Sequence, residues 1–174
     1  MMASGHSVFF SADVISRSVR DLALSIDRDL EGSRLVVITV LKGAVMFSCD
    51  LVRAMETETE MVFLSASSYS DGFTPGETLR LQQDIELDVA GRDVLIVDDI
   101  IDTGRTLTEL AGLMQLQKPR SISTVALINK TSRRAAGAEP TYSGLEIGEE
   151  FIYGYGLDWD ERYRDLPFIA LANP

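Results

Sequence analysis

The chain has one cysteine and one histidine among its 174 residues. Cys49 alone forms no internal disulfide, and its place in a helical pattern makes it a small core residue rather than a nucleophile. His6 sits near a terminus, and neither a zinc cluster nor a Ser-His-Asp triad can be assembled around it. Long apolar runs are missing as well. The longest, Leu35 to Leu41 with Thr39 inside it, is far too short to span a bilayer. The N-terminus lacks a basic region followed by an apolar one, so the expectation is a soluble cytoplasmic protein without a membrane partner. Basic residues are outnumbered, 16 Lys and Arg against 27 Asp and Glu, and the formal net charge of −11 argues against nucleic-acid binding, which needs a basic face. Neither a Walker-type lysine loop nor the third glycine that Gly154-x-Gly156 would need for a dinucleotide fingerprint occurs. No linker or repeat divides the chain, and 45% hydrophobic residues suit one globular domain, residues 1–174, with a sizeable core.

What is there centres on Val94-Leu-Ile-Val-Asp98-Asp99-Ile-Ile-Asp102-Thr-Gly-Arg-Thr-Leu107. Four consecutive β-favouring apolar residues predict a strand buried on both faces, as in parallel sheets covered by helices, and the pattern stops at two carboxylates. A small, turn-forming Asp-Thr-Gly-Arg-Thr follows, and then Leu107, Leu110, Ala111 and Met114 recur at helical spacing. A strand thus feeds a helix through a polar loop. The helix N-terminus offers unpaired N–H groups and the positive end of its dipole, which makes the loop a phosphate cradle. Thr103 and Thr106 add hydroxyl donors, Gly104 permits close backbone approach, and Arg105 is a cation at the same place. Asp98 and Asp99 are acceptors suited to sugar hydroxyls or Mg²⁺. Paired aspartates at a strand end also suit plain loop solvation or the Mg²⁺ site of a phospho-accepting receiver domain, although a receiver needs no phosphate loop immediately afterwards.

The rest of the chain alternates strands and helices. Ser11 or Asp13 caps a predicted helix with Ile15, Val19, Leu22 and Ile26 on its apolar face and Gly32 closing it. Leu35–Leu41 is a buried strand, and Gly43 opens a helix through Phe47, Leu51 and Met55. Lys42 lies between them, well placed to meet a phosphate, though a solvated strand end would look the same. Met61–Ser67 is a further strand, ending in Ser68-Tyr69. From Ser70 to Gly91 the pattern breaks into Asp-Gly-Phe-Thr-Pro-Gly and then the strand-like alternation of Ile85, Leu87 and Val89, which predicts a mobile flap. Ile122–Ile128 is another buried strand, ending in Asn129-Lys130, and residues 131–146 resemble a surface connection. Lys42, Asp98 with Asp99, and Lys130 therefore converge on the carboxyl edge of the sheet, where open α/β sheets bind ligands. Phe151-Ile-Tyr-Gly-Tyr-Gly-Leu-Asp158 is aromatic and glycine-rich. Core packing accounts for such a cluster, and so does a ring set against a flat heterocycle.

In their order these motifs resemble type I phosphoribosyltransferases of the hypoxanthine-guanine group, over nearly the full chain. Leu41-Lys42-Gly43 is similar to that family's pyrophosphate loop, Ser68-Tyr69 to the start of its flexible loop, Asp98–Leu107 to its phosphoribosyl-pyrophosphate (PRPP) loop, Lys130 to its purine-contacting lysine, and Phe151–Asp158 with Arg164 to its carboxyl-terminal purine and pyrophosphate segment. The resemblance implies a Rossmann-like parallel sheet flanked by helices, with a flexible flap and a small carboxyl-terminal hood. It implies transfer of ribose 5-phosphate from PRPP to N9 of hypoxanthine or guanine, giving IMP or GMP and pyrophosphate, with Mg²⁺ as cofactor and a homodimer or homotetramer as the assembly.

Carried over residue by residue, it implies that Asp98 and Asp99 hold the ribose hydroxyls and a metal, and that residues 102–106 wrap the 5′-phosphate. Asp102 then faces purine N7 as the catalytic acid or base. Lys130 donates to the 6-oxo group, Phe151 stacks on the base, and the Ile152 backbone reads its edge. Asp158 helps hold a second Mg²⁺, while Lys42, Gly43 and Arg164 meet pyrophosphate. The family often has glutamate where this chain has Asp98, and it varies at Arg105. Rival readings are a phosphoribosyltransferase for xanthine or uracil, and a regulator of the same fold that senses PRPP and binds RNA.

Overall fold

The computed structural model describes residues 6–68, 79–82, 87–131 and 138–172, with the backbone alone for 66–68 and 79–82. The elements are β1 (Ser7–Phe10), α1 (Ala12–Asp29), β2 (Arg34–Leu41), α2 (Val45–Ala54), β3 (Glu58–Ser68), β4 (Leu79–Gln82), β5 (Asp93–Ile101), α3 (Arg105–Gln115), β6 (Ser121–Lys130), β7 (Tyr142–Ile147), β8 (Ile152–Tyr153) and β9 (Ile169–Leu171).

Helix α1 starts where Ser11 caps it, its hydroxyl accepting from the Val14 N–H at 3.4 Å, and it buries Ile15, Val19, Leu22, Ala23 and Ile26 along one face. Strand β2 buries six residues in succession, which only a strand covered on both sides can do. Thr39, the polar interruption in that run, meets the Ser48 hydroxyl of α2 at 2.5 Å, so neither buried oxygen lacks a partner.

The main sheet has the order β4-β3-β2-β5-β6-β7, in which β3, β2, β5, β6 and β7 are parallel and β4 runs antiparallel at the edge of β3. Alternate side chains of its central strands enter two cores. Leu35, Val37, Leu95 and Val97 pack with α1 and α2, while Val36, Ile38, Val94 and Ile96 pack with Leu107, Leu110 and Met114 of α3. Helices thus cover both faces, as expected. Among the described residues no helix is long and apolar enough to cross a membrane.

A second sheet, β1-β9-β8, is antiparallel and joins the two ends of the chain. The carboxyl-terminal hood is therefore built partly from the N-terminus.

Three expectations need correction. The central strand does not stop at the carboxylates: β5 runs to Ile101, and Ile100 and Ile101 still pair with Ile128 and Asn129. The stretch 131–146 is not all surface connection, because β7 occupies its end and extends the parallel sheet beside β6. Leu87 and Val89 form no strand, although Val89 is fully buried in the core under α3. Tyr69, residues 70–78 and residues 83–86 of the expected flap lie outside the described residues.

Candidate active site

The carboxyl ends of β2, β5 and β6 lie side by side, so the residues that follow them share one edge. At β5, Asp98 is buried and Asp99 stands next to it. The Asp99 N–H donates to Asp98 Oδ1 at 3.1 Å, and the Ile100 N–H to Asp99 Oδ1 at 2.8 Å. Burial pushes the Asp98 carboxyl well above the usual carboxylate range, and the negative charge of Asp99 pushes it further. Asp99 is also raised, chiefly by burial, against hydrogen bonds and the Arg164 charge that pull it back. Two acids placed this way resist ionising together.

Beyond β5 the chain folds around a cavity of about 120 Å³ lined by Asp98 and the run 100–107. Gly104 is the N-cap of α3 with φ of 80°, and an added Cβ would lie 2.5 Å from the Ala138 Cβ and 2.7 Å from its carbonyl oxygen. Conformation and space both require glycine there. The Thr103 hydroxyl accepts from the Arg105 N–H at 3.4 Å, while the Thr108 N–H closes the first helical bond to Gly104 at 3.0 Å. The first N–H groups of α3 have no partner within the helix, and Thr106 lines the same cavity. Asp102 lies on its wall, half-buried. Arg105 also lines it, but its guanidinium runs along α3 to Glu109, Nε to Oε1 at 2.6 Å.

The turn after β2 packs against both the acid pair and the hood. A Cβ on Gly43 would meet Asp99 Oδ2 at 1.7 Å, and one on Gly156 would meet the Gly43 carbonyl oxygen at 2.0 Å. The Leu41–Lys42 peptide between β2 and this turn is cis. From the hood side, Arg164 Nη1 donates to the Gly156 carbonyl at 2.8 Å and Nη2 pairs with Asp158 at 2.8 Å and with Glu161 at 3.4 Å. Glu161 in turn binds Lys42 Nζ at 3.0 Å, which holds its carboxyl below the usual range, and its N–H donates to Asp158 Oδ2. Lys42, Gly43, Asp99, Asp158 and Arg164 are thus brought into one continuous cluster.

At the end of β6, Lys130 Nζ donates to the Glu150 carbonyl at 3.4 Å, which sets it beside the start of the hood. Phe151 is 60% exposed there, whereas Ile152 is buried in β8 and Tyr153 in an aromatic group with His6, Trp159 and Tyr163. The two rings that alternate around Ile152 therefore have different surroundings, and only Phe151 offers a free face. Of the two flap residues, Ser68 ends β3 opposite Leu79 and Tyr69 falls outside the described residues.

Sequence reasoning missed Glu161 and His6. Glu161 lies 119 residues from Lys42, and His6, whose Nδ1 meets the Tyr153 hydroxyl at 2.8 Å, lies 147 residues from its partner. No local pattern signals contacts of such separation.

Residues 11–160 match the phosphoribosyl transferase domain family. A hypoxanthine-guanine phosphoribosyltransferase of Mycobacterium tuberculosis is 39% identical over 174 residues, covering 97% of this chain and 86% of that one. The bifunctional TilS/HprT protein of Listeria innocua is 40% identical over 167 residues, 96% of this chain, which spans only 26% of that relative's length. A crystal structure of a hypoxanthine-guanine phosphoribosyltransferase from Bacillus anthracis superposes with a TM-score of 0.90 at 39% identity, covering 96% of this chain and 98% of that one. With the acid pair, the loop before α3 and the hood in the order their motifs require, the chain belongs to the hypoxanthine-guanine phosphoribosyltransferase family.

Proposed function

We propose that this chain, as a single domain over residues 1–174, transfers the 5-phosphoribosyl group of PRPP to N9 of hypoxanthine or guanine, giving IMP or GMP and pyrophosphate. One observation carries the reading. Four elements far apart in sequence bring to one sheet edge a helix-capped loop, an acid pair, two cations and an exposed ring beside a lysine.

Each part meets a stage of the reaction. The loop at residues 102–106 holds the 5′-phosphate through N–H and hydroxyl donors, which fixes the sugar. Asp98 and Asp99 accept from the ribose hydroxyls. As the bond from C1′ to pyrophosphate breaks, negative charge grows on the leaving group, and Lys42, the Gly43 backbone and Arg164 stabilise it. Phe151 stacks on the purine, Lys130 donates to its 6-oxo group, and Ile152 presents backbone to its edge. When N9 bonds to C1′ the base must shed a proton, and Asp102 accepts it at N7.

The donor set fits Mg²⁺. A buried and a half-buried carboxyl, both held above their usual pKa, gain from a hard cation, and Mg²⁺ takes one or two carboxylates, completing its shell from substrate oxygens and water. Asp98 and Asp99 would hold one ion and Asp158 would help hold a second. Bound there, Mg²⁺ would neutralise charge developing on the diphosphate. The proposal includes a homodimer or homotetramer in the cytoplasm.

The experiment is to incubate the protein with PRPP, Mg²⁺ and hypoxanthine or guanine and to follow nucleotide and pyrophosphate together. Equal amounts of the two products are expected. Formation of neither IMP nor GMP would overturn the proposal.

A further inference from the structure

The two cations read as the pyrophosphate site are already occupied by a residue of this chain. Glu161 reaches Lys42 Nζ with one carboxylate oxygen at 3.0 Å and Arg164 Nη2 with the other at 3.4 Å. It therefore spans the two groups as two oxygens of a diphosphate would. Arg164 is also tied to Asp158 and to the Gly156 carbonyl, so it stays in position whatever Glu161 does.

The backbone gives a second, independent observation. Trp159 and Arg162 exchange both backbone hydrogen bonds, at 3.1 and 3.2 Å, across Asp160 and Glu161, whose φ values are 56° and 58°. Two residues with φ above zero between paired partners form a type I′ hairpin turn, whose second position strongly favours glycine. Asp160 is a tolerated choice at the first position. Glutamate at the second is not, because its Cβ crowds the backbone in the left-handed region. A residue that costs stability where glycine would relieve it, and whose side chain then bridges two cations, points to a use for that carboxylate.

We infer that Glu161 is a tethered stand-in for pyrophosphate, which closes on Lys42 and Arg164 when the diphosphate subsite is vacant and competes with diphosphate for them. The inference rests on the reading of Lys42 and Arg164 as pyrophosphate-binding groups. Its consequence is kinetic. A carboxylate that recaptures the cations as the product leaves weakens the hold on pyrophosphate and speeds turnover. Lys42 and Glu161 are largely exposed, at 69% and 66%, whereas Arg164 is 24% exposed, so the Lys42 pair in particular shifts an equilibrium only modestly, by roughly 1.4- to 5-fold. Such a contact is weak enough for substrate to displace and strong enough to tune release.

The test is calorimetric titration of the full chain with inorganic pyrophosphate in Mg²⁺. Glu161→Gln and Glu161→Gly are expected to tighten binding by about 3–10-fold, and Glu161→Gly to melt no lower than the wild type because the turn is relieved. Asp160→Asn removes the same charge one residue away, where no ion pair is made among the described residues, and should change binding by less than about 1.5-fold. Unchanged or weaker binding in both Glu161 variants overturns the inference. Equal tightening by Asp160→Asn also overturns it, since general charge would then be the cause. Lys42→Ala and Arg164→Ala separate the two levels. If they bind pyrophosphate as the wild type does, the reading of the subsite fails and takes the inference with it. If they weaken binding while Glu161→Gln does not tighten it, the inference alone fails.

Discussion

Gly43 and Asp99 touch: there is no room for even a methyl group between them, since a Cβ on residue 43 would stand 1.7 Å from Asp99 Oδ2. Gly43→Ala therefore expels the Asp99 carboxylate, the free end of a side chain that can rotate away. The fold should survive, with little change in melting temperature, while kcat/KM for PRPP falls by about 10²-fold. Gly156→Ala is the contrasting case. Its Cβ would meet the Gly43 carbonyl at 2.0 Å with φ of 98°, and backbone does not rotate away. It should cost about 1–3 kcal/mol of stability or more. Thermal melts and steady-state kinetics of the two variants check this, and the reverse pattern would refute it.

The acid pair opposes the fold it sits in. The folded-state pKa of Asp98 is raised, so the folded protein retains this proton to higher pH than the unfolded chain does. That penalty is absent below the unfolded value of about 3.9 and develops as pH rises through the folded value. In metal-free buffer at pH 7, Asp98→Asn should melt higher than the wild type. The difference should vanish near pH 3.5. The same variant should bind PRPP with Mg²⁺ more weakly. A lower melting point at both pH values would contradict this account.

Much of this was legible because the relevant residues are contiguous. Strands β2, β5 and β6 carry buried apolar runs, interrupted in β2 only by Thr39 and concentrated in β6 at Val125–Ile128, and the cavity after β5 is lined by Asp98 and residues 100–107. Strand β7 was not legible: Tyr142–Ile147 is a short edge strand, mostly part-exposed, without a sustained alternation. The second sheet was hidden for another reason. Strand β1 has four residues and acquires its partner, β9, from the other end of the chain. Propensity and period report on neighbours in sequence, and these contacts have none.

At the opposite edge of the sheet from the site, Asp93 begins β5, buried at 3% exposure. It accepts from Arg120 Nε at 2.9 Å, from Arg120 Nη2, and from the Ser121 hydroxyl at 2.7 Å. Arg120 holds its carboxyl below the usual range despite burial. A depressed folded-state pKa stabilises above the unfolded value and is lost as pH falls through the folded one. Arg120→Ala should thus lower the melting temperature by a few degrees at pH 7 and by progressively less as pH falls below about 3.9. Turnover at pH 7 and at a temperature well below melting should be unaffected. A pH-independent loss would assign Arg120 a packing role instead.

Asp102→Asn keeps the shape of the loop and its hydrogen-bonding capacity but removes the carboxylate proposed to take the N7 proton. Turnover should fall by roughly 10²–10⁴-fold while PRPP still binds. Near-normal turnover would remove Asp102 from the mechanism.

The final expectation concerns which bases are refused. Lys130 is a donor with no acceptor capacity when protonated, and its bond to the Glu150 carbonyl keeps it beside Phe151 and Ile152. A 6-oxopurine offers an acceptor to that donor. Adenine offers an amino group there and lacks the N1–H that a carbonyl of the Ile152 segment would accept, so two polar groups would lose partners at once. A site that reads hydrogen bonds in this way rejects the wrong analogue by about 10⁴–10⁵-fold, far beyond what an apolar pocket achieves. Hypoxanthine, guanine or both should therefore be used efficiently and adenine negligibly. Lys130→Ala should impair the 6-oxopurine reaction and narrow the gap, because the donor that penalises adenine is gone. The measurement is kcat/KM for each base in the wild type and the variant. Comparable values for adenine and hypoxanthine in the wild type would withdraw the role of Lys130 and the assignment of substrate together, whereas an undiminished gap in Lys130→Ala would move discrimination onto the backbone of the hood.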